Sequence, residues 1–465
     1  MEKISEKIVL LGFDKQSFTN FTMEIYYSFS LLIVVATIFS FLNKQWLKLP
    51  STIGIMVIAI FFSVLLVSFG DKILSEELLN SMRNLPKSVD FNEILMGALL
   101  NFLLFAGGIH IKISDLREHR GAIGIFATFS VVMTAFIVAF SLYFLTDWFG
   151  SQIPFINCLL FGALIAPTDP IAVLGVLKEA NVSKSLQTKV AGESLFNDGT
   201  AIVLFAVVLQ IATGERSEVT FGNITWFFIQ EFFGGLIVGL VLGIVTEKLI
   251  KKTKDYKIAV MATLSIVMGG YMLCHELHVS APLAMVAAGL YIGNMKFSKT
   301  EVAEELKDYL HKFWEVTDEI FNAILFLFIG LQVIVISDLQ QYWRAGAVAI
   351  VIVLISRFLS ILLPARLIRF KKKIDNHTIK VLTWGGIRGG VSIALALSIP
   401  DGVAHKEAIV AITYFVVVFS IIVQGLTIGA VADPAQKIKI IPVLPKNELP
   451  LSAEEPADHD EQIEP

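Results

Sequence analysis

Inside long apolar stretches, the sequence carries a few polar and charged side chains whose spacing suits the handling of a small ion. Ala166-Pro167-Thr168-Asp169-Pro170 sets an aspartate between two prolines. Each proline lacks an N–H and clashes with the carbonyl four residues earlier, so a helix breaks here and frees the carbonyls of Ala163 and Ala166. Unwound carbonyls, the Thr168 hydroxyl and the Asp169 carboxylate together suit a hard, oxygen-seeking cation. The blander alternative is a proline kink capped by Asp169.

A second group follows at Glu193-Ser194-Leu195-Phe196-Asn197-Asp198-Gly199. On a helix, Glu193 shares a face with Asn197, and Ser194 with Asp198. Glu193 and Asp198 stand about 140° apart, so they do not both point at one small ion. The spacing predicts that Asp198, with Ser194, faces the cation while Glu193 turns to a structural partner. Two buried acids held only by hydrogen bonds are the alternative. Arg357 is a lone cation in mid-helix and needs an acid, and Glu193 is its candidate. Trp384-Gly385-Gly386-Ile387-Arg388-Gly389-Gly390 weakens another helix and permits close backbone approach. A small-residue packing face competes with that reading; a phosphate-cradling loop does not, since no GxGxxG or Walker pattern is present.

Other polar residues carry weaker signals. Glu231 reads as a helix contact before a transport group, and His275 and His278 are not at HExxH spacing. Asp318 and Glu319 stand at a span's cytoplasmic edge and read as solvated acids before a cation funnel. Cys158 and Cys274 lie in or beside apolar runs, which argues against a disulfide scaffold or a cysteine-ligated metal.

The elements that must position these groups follow from composition. Of 465 residues, 55% are hydrophobic and 17% charged, against about 25% charged in soluble chains, and the mean hydropathy is +0.72. The apolar content and a net charge of −4 exclude a disordered, fibrous or nucleic-acid-binding chain. At roughly 20 apolar residues per crossing, thirteen spans are expected near 25–42, 51–69, 91–111, 121–147, 153–177, 190–213, 225–247, 258–275, 279–295, 317–337, 345–365, 381–399 and 407–432. Residues 300–316 read as an amphipathic surface helix. The start mixes acids with lysines and lacks a long apolar run, so no cleaved signal peptide is expected.

Lys and Arg number 23 in the odd-numbered loops and 6 in the even-numbered ones. That bias puts the odd loops and the C-terminus in the cytoplasm and the N-terminus outside. The expected organisation is an extracytoplasmic segment 1–24, a transmembrane domain 25–432 and an acidic cytoplasmic tail 433–465. Spans five and twelve are the two strongly interrupted ones. Seven spans apart, they fit equivalent positions in two inverted six-helix repeats, the arrangement that marks a secondary transporter's site.

Thr168-Asp169-Pro170, Glu193 to Gly199, and Gly385-Gly386-Ile387-Arg388-Gly389 resemble the hallmark segments of the monovalent cation:proton antiporters, over about 45–432. These include bacterial and archaeal Na+/H+ antiporters and the animal sodium/proton exchangers. The resemblance implies an all-α, thirteen-helix fold with crossed broken helices, homodimeric assembly in the bilayer, and elevator-like movement of a core against a dimerisation unit. It implies that Asp198 and Asp169 line a Na+ site with Ser194 and Thr168, that Glu193 pairs with Arg357, and that Asn197 holds the crossed helices. Pro167, Pro170 and Arg388 take structural or gating roles. Asn197 stands where related electrogenic exchangers place a second acid, which implies electroneutral exchange of Na+ (or Li+ or K+) for H+ without a cofactor. Long regulatory tails of the animal exchangers are absent. A cation-coupled symporter or a channel is the rival reading. An intramembrane enzyme is not, since Gly192-Glu193-Ser194-Leu195-Phe196 lacks the GxSxG pattern and no HExxH set exists.

Overall fold

The computed structural model describes residues 15–73, 99–146, 153–179, 182–214, 220–253, 255–295, 301–334, 336, 339–368 and 374–433. The first fourteen residues and the tail from 434 lie outside them, as does part of the third expected span. The described residues form seventeen α-helices and no strand. Among the described residues, nine helical stretches are long and apolar enough to cross a membrane, and three shorter apolar helices accompany them.

In chain order the helices are α1 (Lys15–Leu42), α2 (Ser51–Ile73), α3 (Leu100–His110), α4 (Ile113–Ala127), α5 (Phe129–Thr146), α6 (Phe155–Leu164), α7 (Pro170–Glu179), α8 (Lys184–Thr213) and α9 (Phe221–Thr253). There follow α10 (Tyr256–Glu276), α11 (Ala281–Gly293), α12 (Glu301–Leu331), α13 (Leu339–Leu367), α14 (Asn376–Trp384), α15 (Gly390–Leu397), α16 (Lys406–Phe419) and α17 (Gly425–Ala432). A π-helical turn at Ser420–Gln424 joins the last two.

Two apolar cores organise the chain. One gathers α3, α10, α11 and the first half of α12, with Leu195 reaching in from α8. The other joins α1, α2, α6, α7 and the second half of α12 to α13–α17. Helix α8 contributes to both, and its middle carries Glu193 to Asp198.

Helix α12 corrects one expectation. The amphipathic stretch 300–316 and the span after it form one continuous helix from Glu301 to Leu331. No proline interrupts it, and Leu306, Leu310 and Trp314 recur at i, i+4 and i+8, burying one stripe. Trp314 packs 4.5 Å from the ring of Phe105 and donates from Nε1 to Thr263 Oγ1 at 3.0 Å. Trp314→Phe, which deletes this donor and leaves a small void beside Thr263, is expected to cost about 2–3 kcal/mol, read as a lowered melting temperature in detergent.

The two interrupted spans are each a pair of short helices. α6 stops at Leu164 and the chain resumes as α7 at Pro170; α14 stops at Trp384 and resumes as α15 at Gly390. Asp375 caps α14 by accepting from the Thr378 N–H at 3.1 Å. A side-chain hydrogen bond with Thr378 first, and that backbone bond after it, hold the Asp375 carboxyl below its ordinary value of 3.8. Because the folded-state value is depressed, the stabilisation is present above 3.8 and is lost as pH falls through the folded-state value. Asp375→Ala is therefore expected to cost up to about 1 kcal/mol at neutral pH, with the gap to wild type closing in acid denaturation scans.

Candidate functional site

The breaks in the two interrupted spans meet. The Asp169 N–H donates to the Ile387 carbonyl at 2.7 Å, a backbone-to-backbone bond between the two unwound segments. Arg388 Nη1 donates to the Ala166 carbonyl at 2.5 Å and to that of Pro167 at 3.1 Å. Proline chemistry frees carbonyls here as expected, but Arg388 takes up the Ala166 carbonyl, which is thereby withdrawn from the oxygens open to a cation. The Ala163 carbonyl accepts from Ala166 N at 3.3 Å.

Such close crossing requires bare backbone. A Cβ on Gly389 would run into the Asp169 carboxylate, and one on Gly386 would meet Arg357 Nε. Gly389→Ala is expected to push Asp169 off its position and to cost about 1–3 kcal/mol by overpacking. The check is a thermal-shift assay, in which the melting temperature should fall.

Asn197 ties the Pro167–Pro170 break to α8. Its Oδ1 accepts from the Thr168 N–H at 3.1 Å, and its Nδ2 donates to Thr168 Oγ1 at 2.6 Å and to Glu193 Oε1 at 3.0 Å. The Thr168 and Ser194 hydroxyls stand 3.0 Å apart. Ser194 thus faces Thr168, on the same side of α8 as Asp198.

Glu193 points the other way. Its two carboxylate oxygens accept from Arg357 Nη1 and Nη2 at 2.8 and 2.7 Å, and Arg357 also donates to the Leu382 carbonyl at 3.1 Å. Both partners are buried, 3% and 2% exposed at the side chain. The pair is satisfied by a two-pronged contact, the geometry that a guanidinium and a carboxylate favour.

Asp198 differs from Glu193 in having a buried oxygen, Oδ1, without a hydrogen-bond partner among the described residues. Asp169, Glu193 and Arg388 all act on it electrostatically. Asp169 is also buried. The structure thus collects two carboxylates, two hydroxyls and unwound backbone at one point, with Arg388 and the Glu193–Arg357 pair around it. Chemically this is an oxygen-rich, water-poor pocket able to hold a small cation or a proton.

Sequence reasoning missed several contributors. Gln424 donates from Nε2 to the Trp384 carbonyl at 2.9 Å and accepts from Ser420 Oγ at 2.6 Å, bracing the end of α14. Ser420 and Gln424 at i,i+4 in an apolar run were the available signal. Behind the crossing, a cavity of about 10 Å³ is bordered by Arg357, Thr383, Arg388, Ser420 and Gln424, close to the space one water needs. Arg388 Nε and Nη2 and Thr383 Oγ1 are buried and have no hydrogen-bond partner among the described residues. Glu231 lies apart on α9, with Cys274 rather than any site residue as its electrostatic neighbour. His275 lies in the last turn of α10 and His278 in the turn that follows, and no group of three or more His, Cys, Asp or Glu that could hold a metal occurs among the described residues.

Comparison with known proteins places this arrangement. The family model described as sodium/hydrogen exchanger, transmembrane, matches residues 31–433. The chain is 44% identical over 409 residues to the Na+/H+ antiporter NhaP of Pseudomonas aeruginosa, covering 85% of this chain and 94% of that protein. It is 29% identical to the Na+/H+ antiporter NhaH of Halobacillus aidingensis, covering 86% and 96% respectively. Among solved structures, the sodium proton antiporter MjNhaP1 from Methanocaldococcus jannaschii at pH 8 superposes with a TM-score of 0.68 at 21% identity, covering 88% of this chain and 98% of that one. At that identity the likeness speaks for the fold.

Proposed function

The chain belongs to the sodium/hydrogen exchanger family, and on that premise we propose that it exchanges Na+ for H+ across the cell membrane at the Asp169/Asp198 carboxylates. The observation that carries the reading is the buried, unpartnered Asp198 oxygen beside the crossed broken helices. Thr168 and Ser194 supply further oxygens.

Competition at one carboxylate supplies the mechanism. Burial favours a carboxylate's neutral form, and a bound cation favours its charged form. Entry of Na+ therefore expels the proton, and entry of a proton expels Na+. An unaccompanied buried carboxylate is costly to occlude, so the site crosses occupied by one or the other and never bare. Alternating exposure then couples the two fluxes, a proton gradient in one direction driving Na+ in the other.

Asn197 does not titrate, and its amide is spent on Thr168 and Glu193. Glu193 is neutralised by Arg357. That leaves Asp169 and Asp198, of which Asp198 is the exchanging group, and supports electroneutral one-for-one exchange. The reading places residues 25–432 as the exchanger domain, 1–24 outside and 433–465 as a cytoplasmic tail, in a homodimer held in the bilayer.

The test is a proteoliposome assay with an internal pH dye. Na+ added outside acid-loaded vesicles should raise the internal pH, and a potential-sensitive dye should stay silent. Na+ flux that needs an organic solute, or Na+ current without proton movement, would establish a symporter or a channel instead. Li+ and K+ in the same assay rank the ions, since all three accept oxygen ligands and cavity size selects among them.

A further inference from the structure

We infer that Asp318 and Asn322 on α12 form a staging site for the transported monovalent cation, next to the Asp169/Asp198 site; the assignment rests on the exchange reading above. The sequence suggests a solvated edge for Asp318, and the structure revises that. Asp318 Oδ1 is buried and has no hydrogen-bond partner among the described residues, and the same holds for Asn322 Oδ1. Asn322 is itself 2% exposed. Its Nδ2 donates to the Asp318 main-chain carbonyl at 2.8 Å. The Asn322 amide also bonds the Asp318 carboxylate, yet one oxygen of each side chain, at i,i+4 on one helix face, keeps no donor among the described residues, an arrangement that is expensive in a dry setting. A monovalent cation satisfies both at once.

The pair stands beside the main site. Leu325 follows Asn322 by three residues on the same face and fills the space where a Cβ of Gly390 would go, and α12 packs against α15. The neighbouring Gly389 abuts the Asp169 carboxylate. Asp169 and Asp318 act on each other electrostatically. Along the helix, Asp318 lies about two turns, roughly 10 Å, before Leu325, on the helix that packs against the start of α15. Asp318 is half-buried and Glu319 beside it is exposed, so the pair is reachable from outside while its acceptors are shielded.

The experiment measures initial Na+-driven rates against Na+ concentration in proteoliposomes of the full chain. Asp318→Asn and Asn322→Ala should each raise half-saturating Na+ by roughly 3–10-fold, at or below the low end of charge-focusing effects, with the maximal rate within about twofold of wild type. Asp318→Glu should restore the wild-type value, and Glu319→Gln should not move it. The difference should persist in added choline chloride, because buried charges are screened less than surface ones. An unchanged half-saturation in both variants, a difference that vanishes with choline, or a fall in maximal rate alone overturns the site. Should Asp318→Asn fail to insert, Asn322→Ala against wild type decides by the same criteria. A wild type that moves no Na+ against H+ sinks the exchange reading instead, so the two failures are distinct.

Discussion

Asp198→Asn is expected to reduce Na+-driven proton movement to the background of empty vesicles, with the protein inserted and folded as wild type. The substitution keeps the shape and replaces a group that carries a proton or a cation with an amide that carries neither. Asp198 Oδ1 has no hydrogen-bond partner among the described residues, and an asparagine Oδ can still accept the Thr168 backbone bond that the carboxylate receives, so the thermal stability should change little or rise. Removing a buried charge relieves a cost. Asp198→Glu retains the chemistry but pushes the carboxylate toward Thr168 and should leave a reduced rate with altered half-saturation. Dye quenching and recovery in proteoliposomes, with melting in detergent alongside, separates these outcomes. Full exchange by Asp198→Asn would remove this residue from the mechanism.

Glu193 and Arg357 should behave in the opposite way. Removing either partner leaves a buried charge uncompensated, and such a break typically costs about 3–5 kcal/mol. Glu193→Gln and Arg357→Gln are therefore each expected to lower the melting temperature sharply and to lose transport as a consequence. Arg357 also binds the Leu382 carbonyl near the end of α14, so its loss loosens one of the crossed helices directly. The double variant Glu193→Gln/Arg357→Gln removes both charges and should be more stable than the sum of the single losses predicts, since neither remains stranded. Strict additivity would show that the two side chains act independently, contrary to the bidentate contact. Stability read by melting, rather than transport rate, distinguishes this pair from Asp198.

Much of this was legible in the chain itself. Apolar content and the lysine and arginine bias identify a polytopic membrane protein, because hydrocarbon rejects charge whatever the tertiary arrangement. The two prolines around Asp169 dictate a broken helix, because a missing N–H and a ring clash are local facts. The turn angle of a helix separated Glu193 from Asp198 and gave Glu193 a structural partner to find, and Glu193 pairs with Arg357. What spacing does not carry is which distant oxygen or nitrogen each group meets. That Arg388 takes up the Ala166 carbonyl, that Asn197 spans from Thr168 to Glu193, and that Gly389 makes room for Asp169 each depend on segments 29 to 222 residues apart in sequence being pressed together. The same limit explains α12. Its charged first half looks like a surface helix by composition, and only packing on α3 and α10 shows that its apolar stripe is buried. Residue type and local spacing fixed the membrane class, the broken helix and the candidate acids, because those follow from backbone chemistry and solvation alone. The tertiary structure alone decided which of these oxygens stays without a partner among the described residues and which distant carbonyl each guanidinium takes up, because a buried charge is defined by its neighbours.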